Sequence, residues 1–490
     1  MAESRRIVVI GGGVGGLACA IRLRAAGHDV ALFERNDEVG GKLATLERDG
    51  FTFDLGPSLL TLPDVFDELF RLAGTTLAEQ VDLERLDPQF RYHWRDGSSL
   101  VVHDDRERTA AAFDEYAAGA GEHWRRFDAK GAKIWEVAQR TFFAGPMSNP
   151  LSLARRMRSP KDLVAIDPLR SLHRAADAYF DDHRLVQWAD RYATYSGSSP
   201  YEAPATLSCI PHVEAEYGCW YPTGGLGALR DALVRVAGEI GVRINTNREV
   251  REILVSGDRV IGILITRRSD GSLREIEADA VVANVDAEHL YRDLAPDDIA
   301  LRNVERAERS TSGFVICAGV RGTTPGIAHH NVWFSDGYER EFGQLMTGQL
   351  ADDPTIYGCV SSVTDSTQAP DRHENWYLLV NAPSGVDVDG DAYATLVLDR
   401  LATAGVDLRE RLLFIETMTP GDIAERYRSP GGAIYGTSSN GRRAAFKRPG
   451  NRGARTGLYL VGGSSHPGGG LPLVTTSAKI VADMIAEDGQ

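Results

Sequence analysis

Short apolar runs between polar turns organise this chain, and no apolar stretch reaches the ~18 residues a membrane-crossing helix needs. The run Ile7-Val8-Val9-Ile10 lacks polar alternation and reads as a strand buried on both faces, as in a parallel sheet. Residues 17–26 then carry helical periodicity, closed by Gly27. A second buried strand, Val30-Ala31-Leu32-Phe33, ends at Glu34. Residues 241–249 predict a strand leading back toward this unit. Residues 251–255 and 260–266 predict a hairpin around Ser256-Gly257-Asp258-Arg259. Residues 280–284 predict another buried strand, and further strands are expected near 314–319, 355–361 and 377–381. At the far end, residues 457–461 form a short strand running into glycines. A closing helix follows from Leu473, with Ala478, Ile480, Val481 and Met484 on its apolar face. Strands alternating with helices predict an α/β fold with a Rossmann-like core.

The junctions carry the chemistry. Between the first strand and helix lies Gly11-Gly12-Gly13-Val14-Gly15-Gly16, which contains the spacing GxGxxG. Gly11 permits the tight turn, Gly13 lets a pyrophosphate approach the backbone, and Gly16 lets helix and strand pack closely; with Gly15 they are the expected cofactor-binding glycines. The helix N-terminus offers free N–H groups to phosphate oxygens. Glu34 lies about 20 residues beyond, where a carboxylate accepts hydrogen bonds from a ribose diol. The C-terminal segment repeats the strand–glycine loop–helix arrangement at Gly462, Gly463, Gly470, Leu471 and Pro472, so it is expected to complete the same site. His466 lies in that loop and is the one catalytic candidate there; a structural role competes with catalysis.

After Glu34 comes Val39-Gly40-Gly41-Lys42, which resembles the extended fingerprint of glutathione-reductase-like and amine-oxidase-like flavoproteins. The resemblance implies FAD, with Gly40, Gly41 and Lys42 along its phosphates and ribityl chain. It also implies that Gly56 and Pro57, in Phe53-Asp54-Leu55-Gly56-Pro57, pass close to the flavin. No second strand–GxGxxG–helix unit occurs, so reoxidation falls to quinone or oxygen. Gly462 to Pro472 has the form GxxxHPGxGxP. With Asp87-Pro88, Arg91-Tyr92-His93-Trp94 and the aromatic–glycine segment 217–225, it resembles the bacterial carotenoid desaturase family of the phytoene desaturase type. That implies Val250 against the adenine end, and an enzyme that introduces double bonds into a long hydrophobic polyene. Residues 191–195, 199–201 and 203–205 are more similar to the branch acting on 1-hydroxycarotenoids at C3–C4. A related FAD-dependent carotenoid isomerase or ketolase, or an amine oxidase, is the alternative. The expected division is a cofactor-binding unit of residues 1–105, 216–290 and 421–490, a helical membrane-facing cap of 106–215, and a mixed α+β substrate domain of 291–420.

Composition narrows the partners. A net charge of −15 argues against nucleic acid. The five cysteines are scattered, without zinc or disulfide spacing, which suits a cytoplasmic chain. His329-His330 could bind a metal in isolation, but core or loop histidines are the favoured reading, and no metal is expected. Between Trp124 and Lys161, Arg125, Arg126, Lys130, Lys133, Arg140, Arg155, Arg156, Arg158 and Lys161 alternate with aromatics. That pattern fits peripheral contact with an anionic membrane or a solvated helix face over core aromatics. For desaturation, proton loss from an allylic cation is easy, so no strong side-chain base is required.

Overall fold

The computed structural model describes residues 4–147, 150–267, 269–441 and 443–489. Its centre is a five-stranded parallel sheet in the order Leu458–Leu460, Ala280–Ala283, Arg6–Ile10, Asp29–Phe33, Arg243–Asn245. The side chains alternate between faces, as the pleat requires. Ile7, Val9, Val30 and Leu32 enter one core, while Val8, Ile10, Ala31 and Phe33 enter another. The helices Val14–Ala25 and Leu471–Glu487 pack together against the first face. The two ends of the chain are therefore joined in one sheet and one helical layer. Both helices start earlier than their apolar periodicity indicates, because glycine and proline occupy their first turns.

The expected strand over 241–249 divides. Arg243–Asn245 joins the parallel sheet, and Arg248–Ser256 leaves it to form the hairpin with Arg259–Arg267. An unanticipated strand, Leu273–Glu277, extends that hairpin to three strands. A mixed sheet of seven strands follows the order Leu412–Met418, Ser312–Arg321, His373–Ala382, Ile356–Cys359, His330–Trp333, Phe90–His93, Ser99–Val102. Its last two strands correct the expected division, which put residues 90–102 in the cofactor unit. Phe90–His93 instead runs parallel to His330–Trp333 and extends the substrate-side sheet. Phe314, Ile316, Ala318 and Val320 cover the helix Gly390–Thr403 on one face. On the other face, Val315 and Tyr377 turn toward a large cavity. Helices Ala120–Thr141 and Cys209–Tyr217 line that cavity from the other side. Among the described residues no helix is long and apolar enough to cross a membrane.

Candidate cofactor cradle and apolar channel

One cavity of about 790 Å³ runs between the parallel sheet, the seven-stranded sheet and the helices. Gly11, Gly13, Gly15, Glu34, Gly40, Gly41, Lys42, Gly56, Pro57, Val250, Gly462, Gly463, Gly470, Leu471 and Pro472 all line it. Segments hundreds of residues apart thus converge on one wall. Gly16 is not on that wall. A Cβ placed there would sit 2.1 Å from the Gly11 carbonyl oxygen, so its bare backbone serves helix–strand packing. Gly11 has φ +92°, a turn conformation that side chains rarely adopt.

The cradle suits a dinucleotide diphosphate. Gly13 and Gly470 precede the two helices that meet here, and neither supplies a side-chain cap, so first-turn N–H groups stay available to an anion. Two half-buried cations, Lys42 and Arg448, line the cradle with one half-buried carboxylate, Asp286. The Lys42 ammonium donates to the Ile434 carbonyl. The Arg448 guanidinium donates to the carbonyls of Tyr435 (2.8 Å), Gly463 (2.7 Å) and Thr437 (2.6 Å). Burial pushes Lys42 down to about 8 and Arg448 down to about 10, while nearby Asp286 opposes both shifts. Burial likewise raises the Asp286 carboxyl above its ordinary range. An anion placed here would raise Lys42 back toward its ordinary value. Glu34 is 7% exposed. Its carboxylate accepts from the backbone N–H of Gly12 (2.8 Å) and Asn36 (2.9 Å), which fixes it for a ribose diol.

His466 sits in a structural contact, the role weighed against catalysis in the sequence. It does not line the cavity: its Nε2 meets the Phe142 carbonyl at 2.9 Å, and its ring packs against Phe142. Burial pushes it down to about 4, so it is a neutral strut between the glycine loop and the helical cap. A histidine in a glycine loop announces proximity in sequence but not the direction of its ring. Asn284, Asp286 and Arg448 were missed. Asn284 Nδ2 donates to the Gly11 carbonyl at 3.2 Å, tying the strand end to the first loop. Asn284 and Asp286 end a buried strand beside the cradle, which was a readable signal. Arg448 lies in an arginine-rich stretch with no periodic pattern to mark it.

Beyond the cradle the lining becomes apolar. Trp135, Phe142, Phe143, Ile210 and Val213 come from the helices, and Val315, Val332 and Leu379 from the seven-stranded sheet. Trp220 and Tyr221, in the aromatic–glycine segment 217–225, do not line it. The Tyr221 hydroxyl donates to Asp54 instead. His329 and His330 also lie outside the lining, hydrogen-bonded to Thr364 and Tyr357, and burial keeps both rings neutral. With Cys359 they form a group whose ligand atoms lie within 4.8 Å of one another. Trp124 and Phe127 are core residues, so the aromatics expected on a membrane face point inward. The exposed apolar side chains lie just beyond them: Leu163 is 50%, Val164 76% and Leu169 68% exposed, flanking the lining residues Ile166 and Pro168.

A 4,4'-diapolycopene oxygenase of a Methylomonas species is 35% identical, covering 100% of this chain and 99% of its own. A carotenoid 3,4-desaturase of Haloarcula japonica is 34% identical, covering 98% of each chain. Among solved structures, an oxidoreductase from Methanosarcina mazei has a TM-score of 0.64 at 18% identity, over 98% of this chain and 100% of that one. A putrescine oxidase bound to putrescine has a TM-score of 0.65 at 15% identity, over 99% of both. At such identities the structural likeness speaks to the fold. The family model for flavin containing amine oxidoreductases matches residues 14–486, and the chain belongs to that family.

Proposed function

We propose that this chain is an FAD-dependent carotenoid desaturase that introduces double bonds into a long hydrophobic polyene. The observation that carries the reading is the continuity of one cavity from a dinucleotide cradle into an apolar channel. The relatives named for polyene chemistry, at about a third identity over the whole chain, support it. Gly11, Gly13, Gly15, Gly40, Gly41, Lys42 and Arg448 would hold the diphosphate, Glu34 the ribose, and Val250 the adenine end. Gly56, Pro57 and the loop 462–472 would lie along the rest of the cofactor. FAD, when bound, supplies the two-electron acceptor of the desaturation.

The protein's own task is orientation and dryness. Trp135, Phe142, Ile210, Val213 and Val332 confine an elongated hydrocarbon and exclude the water that would capture an allylic cation. No ionised base is needed beside such a cation. Tyr195 and Tyr357 line the cavity, and burial raises both hydroxyls well above their ordinary range, so they remain neutral. With no second dinucleotide motif, electrons leave to quinone or oxygen. Terminal oxygenation is the second reading, favoured by the name of the Methylomonas relative.

The test is direct. The purified chain should be yellow. Mixed anaerobically with phytoene, neurosporene or a 1-hydroxycarotenoid, it should bleach its flavin and yield a product lighter by two hydrogens. A product heavier by one oxygen, formed in air, would select the second reading. A flavin that no polyene bleaches would refute both.

Substrate supply implies peripheral membrane contact at the cytoplasmic face. The exposed Leu163, Val164 and Leu169, with exposed Arg155, Arg158 and Lys161 nearby in the chain, fit an anionic lipid surface. Replacing both Leu163 and Val164 by Glu should lower the fraction floating with phosphatidylserine vesicles by about 10-fold or more, since each apolar side chain contributes ~1.5–3 kcal/mol when fully buried. Unchanged flotation would exclude this patch.

A further inference from the structure

Deep in the apolar channel lies a cation that a hydrocarbon cannot satisfy. Arg191 begins the turn Arg191–Ser196 that follows the helix His183–Asp190. It is 7% exposed, yet it lines the cavity. Its guanidinium lies 4.5 Å from the ring centre of Phe90, 5.3 Å from Tyr195, 5.6 Å from Tyr92, 5.7 Å from Tyr192 and 6.0 Å from Tyr357. This aromatic cage holds the charge in place and keeps it from swinging to solvent. No carboxylate among the described residues touches it. The nearest acid in the network, Glu214, is reached only through hydroxyls: Tyr195 donates to Glu214 at 2.5 Å and Tyr192 at 2.9 Å.

A guanidinium carries five N–H donors. Here Nη1 donates to the Tyr92 hydroxyl at 3.1 Å and Nη2 to the Tyr195 hydroxyl at 3.4 Å, and no other acceptor among the described residues engages them. A buried donor without an acceptor costs free energy, more so when charged. With only the Tyr92 and Tyr195 hydroxyls engaged, the remaining N–H groups have no acceptor among the described lining residues, and a hydrocarbon ligand would offer none. What would accept is an oxygen on the ligand itself.

We propose that Arg191 forms a binding subsite for an oxygen-bearing end group, so that the preferred ligand is a polyene with a hydroxyl, aldehyde or carboxylate at the end that lies there. The inference deepens the polyene reading and rests on it. It also orients the ligand. Ile166 and Pro168 beside the exposed Leu163, Val164 and Leu169 form an apolar margin of the same cavity, whereas Arg191 stands among Tyr195 and Tyr357. The oxygenated end therefore enters first and the hydrocarbon end trails.

The experiment uses the FAD-loaded full chain and two linear polyenes of equal length, one a hydrocarbon and one with a single terminal hydroxyl. Binding is read by tryptophan quenching and turnover as kcat/KM. Terminal aldehyde and carboxylate versions separate a neutral acceptor from an anionic one. The wild type should favour the hydroxylated polyene by about 10- to 100-fold, the worth of one hydrogen bond to a charged donor. Arg191→Met should bring that ratio close to one, and Arg191→Lys should keep part of it. The double variant R191M/E214Q removes both charges, so it keeps the ratio readable if the single variant folds poorly. A purely structural role would lower flavin content and both activities together without moving the ratio. Equal affinity of the wild type for the two polyenes, or a preference that survives in R191M, would overturn the subsite. Failure of the wild type to bind either polyene while retaining FAD would instead overturn the polyene reading beneath it.

Discussion

Gly13→Val should give a folded but colourless protein. The backbone at Gly13 has φ −68° and ψ 170°, a conformation any residue adopts, so the substitution carries no torsional penalty. A Cβ there would meet only Asn284 Nδ2 at 3.0 Å and the Gly41 Cα at 4.0 Å, both on the cavity side. The added methyl groups must therefore occupy the space where a diphosphate approaches the helix N-terminus. FAD affinity should fall by more than about 100-fold, because displaced phosphate loses several charge-assisted hydrogen bonds worth ~1.5–3 kcal/mol each. The melting temperature should match that of the flavin-free wild type, not the holoprotein, since a ligand that binds only the folded state stabilises it. Flavin absorbance per protein and a thermal melt decide the matter. Stoichiometric FAD in this variant would refute the cradle assignment. Gly16→Val makes the contrast: its Cβ would lie 2.1 Å from the Gly11 carbonyl oxygen, so it should damage the fold itself.

The difference between these two glycines shows what the sequence carries and what it does not. Their spacing identifies the motif, because a phosphate-binding turn between strand and helix needs glycine at fixed offsets. Which glycine touches ligand and which touches its own strand depends on direction, and the structure supplies that. The same holds for His466, which lies in the right loop but faces Phe142. Local signals found the strands 6–10, 29–33 and 280–283 because each is buried on both faces and therefore continuously apolar. They could not find the parallel pairing of Phe90–His93 with His330–Trp333, since strands more than two hundred residues apart carry no local record of each other. Two charges of the cradle were hidden for a related reason. Lys42 was legible through its fingerprint, but Asp286 and Arg448 come from remote segments, and only folding brings them to it. Arg191 was legible as part of a resemblance, but its burial among five aromatic rings was not.

The channel should fail independently of the cradle. Ile210 and Val213 lie three residues apart on the helix Cys209–Tyr217 and both face the cavity. On the opposite side, His212 Nδ1 is hydrogen-bonded to Asp128 of the helix Ala120–Thr141 at 2.9 Å. The two helices approach so closely at Gly131 that a Cβ there would lie 2.7 Å from the Ser208 carbonyl and 2.9 Å from the His212 Cβ. The helix carrying Ile210 therefore cannot retreat, and a larger side chain must extend into the channel. Ile210→Trp should lower kcat/KM for a full-length polyene by more than about 100-fold, since displacing even one or two apolar groups of the ligand forfeits ~1.5–3 kcal/mol each and misplaces the reacting carbons. Flavin content should stay at the wild-type level, because Ile210 belongs to the apolar wall and not to the cradle. A short polyene that ends before residue 210 should be spared, whereas Gly13→Val should abolish turnover of every length. Loss of flavin from Ile210→Trp would mean that the cradle and the channel are not separable, and wild-type turnover of the long polyene would place its path elsewhere.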